Sequence, residues 1–309
     1  MKLRIGTRGS KLALVQSGWI KDRIETRYPG LVVSLVQIKT RGDKILDSPL
    51  SNIGGKGLFV KEIEEALLRQ EVDLAVHSMK DMPADMPEGL DLFVFPERED
   101  PGDAMVSMDR RPLMELPGGS AIGTGSLRRT AQLLHMRSDL RIVPMRGNVD
   151  TRLRKLEEGN LHAIVLAAAG LKRLGFSDRI SHILPHNELL PAIGQGSLGL
   201  EQRQDDDRVR DILAFLNHEE TEVTVRAERA FLKTLGGGCQ VPVAGHGRLE
   251  GENLTLDGLV AEPDGSTLIR DQASGSMGRP EEIGISLAEK LLSSGADSIL
   301  ARIYGKGHA

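Results

Sequence analysis

Ile5-Gly6-Thr7-Arg8-Gly9-Ser10 and Ile122-Gly123-Thr124-Gly125-Ser126 are two versions of one phrase. Each opens on an apolar residue and a glycine, turns through small polar residues, and ends on a serine placed to cap a helix. Helical spacing follows both. Leu12, Val15, Trp19, Ile20 and Ile24 form one apolar side over 11–27, and a second helix is predicted over 127–137. The repetition predicts two related α/β domains, each presenting a Gly/Thr/Ser turn and a helix N-terminus to one cleft. Helix N-termini carry unsatisfied N–H groups and partial positive charge, so such a cleft favours anions.

Working outward, a β-branched run predicts a strand over 31–38. From Thr40-Arg41-Gly42-Asp43 to Gly54-Gly55-Lys56-Gly57 no period is visible, and a loop of that length reads as a lid. The next helix is predicted from about Leu58, packing Phe59, Ile63, Ala66 and Leu67. Leu74-Ala75-Val76 then leads into His77-Ser78-Met79-Lys80-Asp81-Met82-Pro83, a buried strand ending in a polar loop. Open α/β sheets place their chemistry at such carboxyl ends.

After a strand over 90–95, the charged, breaker-rich Pro96-Glu97-Arg98-Glu99-Asp100-Pro101-Gly102-Asp103 reads as a crossing into a second α/β unit from about Ala104. There a strand over 141–145 ends in Arg146-Gly147-Asn148, and the apolar run 163–169 is a strand buried on both faces. Pro191-Ala192-Ile193-Gly194-Gln195-Gly196 reads as a crossing back. Helices follow, with Asp205, Asp206 and Asp207 at the start of one and 219–235 forming another. Beyond Gly236, three strand-like runs separated by turns predict a small antiparallel sheet, closed by helices carrying Leu287, Leu291 and Ile299. The expected organisation is 1–98 with 197–217 as a discontinuous first domain, 102–192 as a second, and 219–309 as a smaller α+β third domain.

Composition limits the function. The 309 residues are 39% hydrophobic and 27% charged, which specifies a globular chain. Net charge is 40 − 44 = −4 and aromatics are 3%, against both a general nucleic-acid binder and a base-stacking platform. The first residues hold no signal-peptide core, and no apolar run reaches membrane-span length. These features predict a cytoplasmic protein with no membrane or nucleic-acid partner. No apolar stripe asks for an oligomeric partner, so a monomer is expected. A single cysteine, Cys239, excludes an internal disulfide and a multi-cysteine metal site. No His/Asp/Glu cluster has metal-ligand spacing.

Arginines carry the strongest chemical signal. Arg8, Arg128, Arg129, Arg146, Arg152 and Arg173 fall at predicted strand ends or in the turn that follows. Singly, each reads as a solvated surface residue. Six at matching positions in an acidic chain point to a polyanion-binding cleft, because the guanidinium fork pairs bidentately with carboxylate or phosphate. Gly54-Gly55-Lys56-Gly57 is either an anion cradle or a hinge, and does not match the P-loop pattern. Asp81, beside Lys80, is either a catalytic carboxylate or a turn-former. Cys239 on a glycine-rich loop is either an inert small hydrophobe or a nucleophile or attachment point.

Together these stretches resemble the porphobilinogen deaminase (hydroxymethylbilane synthase) family along nearly the whole chain. The residues that carry the resemblance are Thr7-Arg8-Gly9-Ser10 with Gln16, Thr40-Arg41-Gly42-Asp43, Gly54-Gly55-Lys56-Gly57-Leu58-Phe59, His77-Ser78-Met79-Lys80-Asp81, Ser126-Leu127-Arg128-Arg129, Arg146-Gly147-Asn148 and Gly237-Gly238-Cys239-Gln240-Val241-Pro242. The resemblance implies two domains like those of periplasmic binding proteins and a third carrying a cofactor. It implies stepwise head-to-tail condensation of four porphobilinogen molecules into hydroxymethylbilane, with release of ammonia, in heme biosynthesis. The primer is a dipyrromethane cofactor, expected in thioether linkage to Cys239. By the same resemblance Asp81 is catalytic. Ser78, Lys80, Thr124, Ser126, Arg128, Arg129, Arg146, Gly147 and Arg152 hold the cofactor. Arg8, Ser10, Gln16, Lys56 and Arg173 meet the substrate rings, and the product passes to uroporphyrinogen III synthase. Two rival readings are a two-lobed anion-binding protein without catalysis and a cysteine-dependent acyl transferase.

Overall fold

The computed structural model describes residues 2–44, 57–237 and 241–305. The chain opens with β1 (Lys2–Thr7), α1 (Lys11–Arg27), β2 (Val32–Gln37), the short α2 (Arg41–Lys44), α3 (Lys61–Leu68), β3 (Leu74–Ser78) and β4 (Leu90–Val94). It continues with β5 (Asp103–Ser107), β6 (Ala121–Thr124), α4 (Leu127–Met136), β7 (Arg141–Pro144), α5 (Val149–Glu157), β8 (Ala163–Ala167), α6 (Ala168–Arg173) and β9 (His182–Leu184). Then come β10 (Leu198–Arg203), α7 (Asp207–Leu213), α8 (Glu219–Thr234), β11 (Val243–Glu250), β12 (Asn253–Ala261), β13 (Leu268–Ser276), α9 (Pro280–Leu291) and α10 (Asp297–Gly305).

The two halves share one topology. The first sheet runs β2-β1-β3-β10-β4 and the second β7-β6-β8-β5-β9. In each, four of the five strands run the same way and the fourth in the order is antiparallel to both its neighbours. That fourth strand is supplied in both cases by the chain just after it crosses: β5 after the first crossing, β10 after the second. The repeated phrase read in the sequence is the start of both copies. Ser10 caps α1, its hydroxyl accepting from Ala13 N–H at 3.3 Å, and Ser126 caps α4 by accepting from Arg129 N–H at 3.4 Å.

Strand alternation divides the first core. Leu74, Val76, Leu198 and Leu200 pack with Ile20 and Ile24 of α1, while Ala75 faces Ile63 and Leu67 of α3. β8 is buried from Ala163 to Leu166, but the apolar run predicted as a strand over 163–169 leaves it at Ala167, and Ala168 and Ala169 open α6. The third sheet, β11-β12-β13, is antiparallel and wraps fully buried Phe231 of α8 together with Leu287 and Leu291 of α9.

Some expectations are corrected. The helix predicted from Leu58 starts at Lys61, because Gly57 takes φ +78° and its carbonyl closes a turn by accepting from Val60 and Lys61 N–H. Phe59 therefore leaves the helix face, and Arg8 lies over its ring at 4.2 Å. Arg173 sits in the last turn of α6, not at the strand end. The last two helices are joined directly by Leu292–Ala296 through Gly295 at φ +104°. Of the lid, 45–56 lies outside the described residues, and so do Lys56, Cys239 and the residues flanking Cys239.

Candidate active site

The site begins with β3. Its last residues run into a single tight turn, Met79–Asp81, whose first residue is buried and whose N–H donates to Ser197 O at 3.0 Å. Gly194 in the second crossing lies against this turn at φ +67°, where a Cβ would come within 2.7 Å of Met79 Cβ. Glycine is required there by both conformation and space. The turn is thus clamped from behind, and Lys80 and Asp81 are half-buried at the cleft.

Two adjoining cavities define that cleft. One, of about 400 Å³ counting open solvent, is lined by Arg8, Ser10, Gln16, Phe59, His77, Ser78 and Asp81. The other joins the halves: Gln16, Ser78 and Lys80 face Ala167, Gly170 and Arg173 across it. Gln16 and Ser78 fix one another, the amide donating to the hydroxyl at 3.1 Å. Burial pushes the Lys80 ammonium down to about 8, against the opposing pull of Asp81.

The second half brings the cations. Arg152 donates through Nε to Gly147 O at 2.8 Å, and Gly147 adopts φ +113°. Burial, then the charges of Arg129 and Arg146, push Arg152 down to about 10, while Asp81 opposes the shift. Arg129, Arg146, Arg152 and Asp81 therefore share one electrostatic neighbourhood. Arg173 is also pushed to about 10 by burial, and donates to Gly196 O at 2.7 Å.

Arg128 and Arg129 point inward. Arg128 Nη1 donates to Asp103 at 2.6 Å and to Leu190 O at 2.7 Å. Arg129 donates to the same carboxylate at 2.6 Å and to Val165 O at 3.0 Å. Burial alone would raise the Asp103 carboxyl, but the two guanidiniums hold it far below the usual carboxylate range. Thr124 is buried, its hydroxyl accepting from Ser126 N–H at 3.3 Å, so it shapes the turn that carries Ser126.

Several site-shaping residues escaped sequence reasoning. Gln195 ties the two crossings together, donating to Pro101 O at 2.7 Å and to Asp103 at 2.9 Å. Glu228 of α8 accepts from Arg98 of the first crossing at 2.6 Å and from Gly194 N–H of the second at 2.6 Å. Burial opposes its ionisation, yet Arg98 and His246 hold it down at about 2. Arg229, one residue on, donates to Ala84 O at 3.1 Å, three residues past Asp81. The helix that leads toward Cys239 is thereby fastened to both crossings and to the segment leaving the Asp81 turn. Only the breaker-rich spelling of the crossings hinted at this knot.

Comparison with known proteins identifies the family. The family model described as "Porphobilinogen deaminase, dipyromethane cofactor binding domain" matches residues 3–211, and "Porphobilinogen deaminase, C-terminal domain" matches residues 223–293. A porphobilinogen deaminase of Geobacter metallireducens is 57% identical over 303 residues, covering 98% of this chain and 95% of that protein. One from Syntrophotalea carbinolica is 57% identical over 97% of this chain and 96% of that one. Among the described residues no helix is long and apolar enough to cross a membrane.

Proposed function

We infer the working of this cleft from the premise that the chain belongs to the porphobilinogen deaminase family. It is a transferase. It condenses four porphobilinogen molecules head to tail into hydroxymethylbilane, releasing ammonia at each addition, on a covalently bound dipyrromethane primer. The roles of individual residues in that reaction are our proposal.

The donor set fits the cofactor. Dipyrromethane carries acetate and propionate groups, and the Arg152 guanidinium lies in the repulsive field of Arg129 and Arg146. Such a group of cations is stabilised by carboxylates entering it. Arg146 and Arg152, with Ser78, Lys80, Thr124, Ser126 and the backbone at Gly147, would hold those carboxylates, and Arg128 and Arg129 would join them on turning from Asp103. Cys239 would hold the thioether. When bound, the cofactor supplies the free α-carbon on which the chain grows.

Asp81 is the catalytic residue in this reading. Loss of ammonia from porphobilinogen leaves a cation, and attack on it creates positive charge again. A carboxylate that accepts from pyrrole N–H groups stabilises both. Arg8, Ser10, Gln16 and Arg173, with Lys56, orient the acidic side groups of incoming rings so that Asp81 meets nitrogen. The observation that carries the reading is the position of Asp81, on a clamped turn within the field of Arg152.

We further propose that the chain works as a cytoplasmic monomer without a membrane or nucleic-acid partner, and that its product passes to uroporphyrinogen III synthase. The domains are assigned as 1–98 with 197–217, 102–192 and 219–309, since each sheet has its own core. Intact mass under denaturing conditions tests the assignment. The expected result is an adduct of two pyrrole units, absent in Cys239→Ser. An unmodified mass from protein that turns over porphobilinogen would overturn it. Retention of anionic pyrroles without ammonia release would instead indicate a two-lobed binding protein.

A further inference from the structure

Beneath the cleft floor lies a buried acid group to which the catalytic and binding roles assign no part. His77 is 5% exposed and lines the cavity with Asp81, Ser78 and Gln16. Its Nε2 is 2.8 Å from Oε2 of Glu201, which is completely buried. Register places the pair on the α3 side of the sheet, with Gly199 opposite His77 and Glu201 opposite Ala75. Glu64 comes from α3 into the same layer. Among the described residues, Oε1 of Glu201 and Oε1 of Glu64 are both buried without a hydrogen-bond partner.

A purely structural histidine would need one acceptor. A second carboxyl in this layer brings repulsion and an orphaned oxygen, both of which cost stability. Burial and the charge of Glu201 push the Glu64 carboxyl up to about 7, while His77 opposes the shift. The other charges that bear on the group are Lys61 and Glu65 of α3, and Arg229 of α8, which feels Glu201. Glu64 thus holds a proton near neutrality, in the same layer as Glu201 and His77, and His77 lines the cleft.

We propose that His77, Glu201 and Glu64 form a proton-sharing cluster at the base of the cleft, in which His77 takes up the proton lost from the growing pyrrole chain at each addition. This rests on the family reading of the cleft. The carbon–nitrogen bond of porphobilinogen, in its ammonium form, breaks with the electron pair leaving on nitrogen as ammonia. The π electrons of the terminal ring form the new carbon–carbon bond. The α C–H bond then breaks, its electron pair restoring the ring, and its proton passes to His77. With Nε2–H donated to Glu201, Nδ1 carries the accepting lone pair. Released ammonia then takes the proton as ammonium, so each addition is proton-neutral. Glu201 and Glu64 are positioning residues that hold the ring and buffer its charge.

Two measurements test this together. Difference infrared spectroscopy of the parent protein is expected to show a protonated carboxyl that titrates near pH 7, absent in Glu64→Gln. The pH profile of kcat should lose an ionisation near 7 in Glu64→Gln. His77→Gln should lower kcat by about 10²-fold with KM unchanged and the mass adduct retained. A parent spectrum with no such carboxyl, or superimposable pH profiles, overturns the cluster. Normal turnover by His77→Gln overturns the proton-transfer role alone. A parent protein that releases no ammonia overturns the family reading itself. Should His77→Gln not fold, the parent spectrum and the conservative Glu64→Gln still decide.

Discussion

The two α/β halves are the same scaffold given different chemistry. Both run a Ser-capped helix from the second strand in sheet order and place the third at the cleft. After β3 the first half presents Ser78, Lys80 and Asp81. After β8 the second presents Ala167, Ala169 and Gly170, small and apolar. Apart from Arg173 in the last turn of α6, the cations of the second half come from near the starts of α4 and α5, and one acid, Asp103, is enclosed by Arg128 and Arg129. The shared topology provides two strand ends facing one cleft. The different residues keep Asp81, the carboxylate proposed to be catalytic, on the half opposite Arg152.

The comparison can be broken most severely at Asp103. Asp103→Leu leaves two buried guanidiniums facing each other, and should cost about 3–5 kcal/mol in chemical denaturation. A loss below about 1 kcal/mol would mean that the carboxylate does not organise the pair. The same logic fixes the acid limb of stability. Asp103 and Glu228 are held below their ordinary values, so the stability they contribute is complete above the unfolded carboxyl range. It is lost as pH falls through the folded values, for Glu228 from about 4.5 toward about 2. Denaturation midpoints followed across that range should fall steeply, and less so in Glu228→Gln.

A smaller asymmetry lies in the paired turns. A methyl group added at Gly125 would press on the backbone carbonyl of Met145, whereas at Gly9 its nearest neighbour is Gln37 Oε1 at 3.6 Å. Gly125→Ala should cost about 1–3 kcal/mol and Gly9→Ala much less, read as thermal midpoints. Smallest, and equal in the two halves, should be Ser10→Ala and Ser126→Ala, about 1 kcal/mol each from losing a helix cap. Unequal losses would show that one serine does more than cap.

Physical range decides how much of this is legible in the sequence. The Ser caps, the β3 turn and the buried run of β8 declare themselves within a few residues, through spacing and turn chemistry. Asp103, Gln195, Glu201 and Glu228 do not. Their partners lie far along the chain: 25 residues for Arg128 with Asp103, 124 for His77 with Glu201, 130 for Arg98 with Glu228. No local pattern separates such a buried carboxylate from an exposed one. Arg128 shows the same limit from the other side. Its position at the start of α4 faces the cleft, yet its guanidinium turns to Asp103 and Leu190 O. Periodicity puts Phe59 on a helix face because it does not register the turn at Gly57, which holds the helix back to Lys61.

As proposed above, Asp81 stabilises the cations of the reaction while the arginines hold carboxylates. Asp81→Asn tests it most directly, because the amide keeps the shape and removes the charge. Intact mass and single-turnover ammonia release are measured on the same sample. The expected result is an unchanged two-pyrrole adduct and ammonia release slowed by about 10²–10³-fold, the loss of one preorganised electrostatic partner. Release within a few-fold of the parent, with the adduct in place, would contradict it.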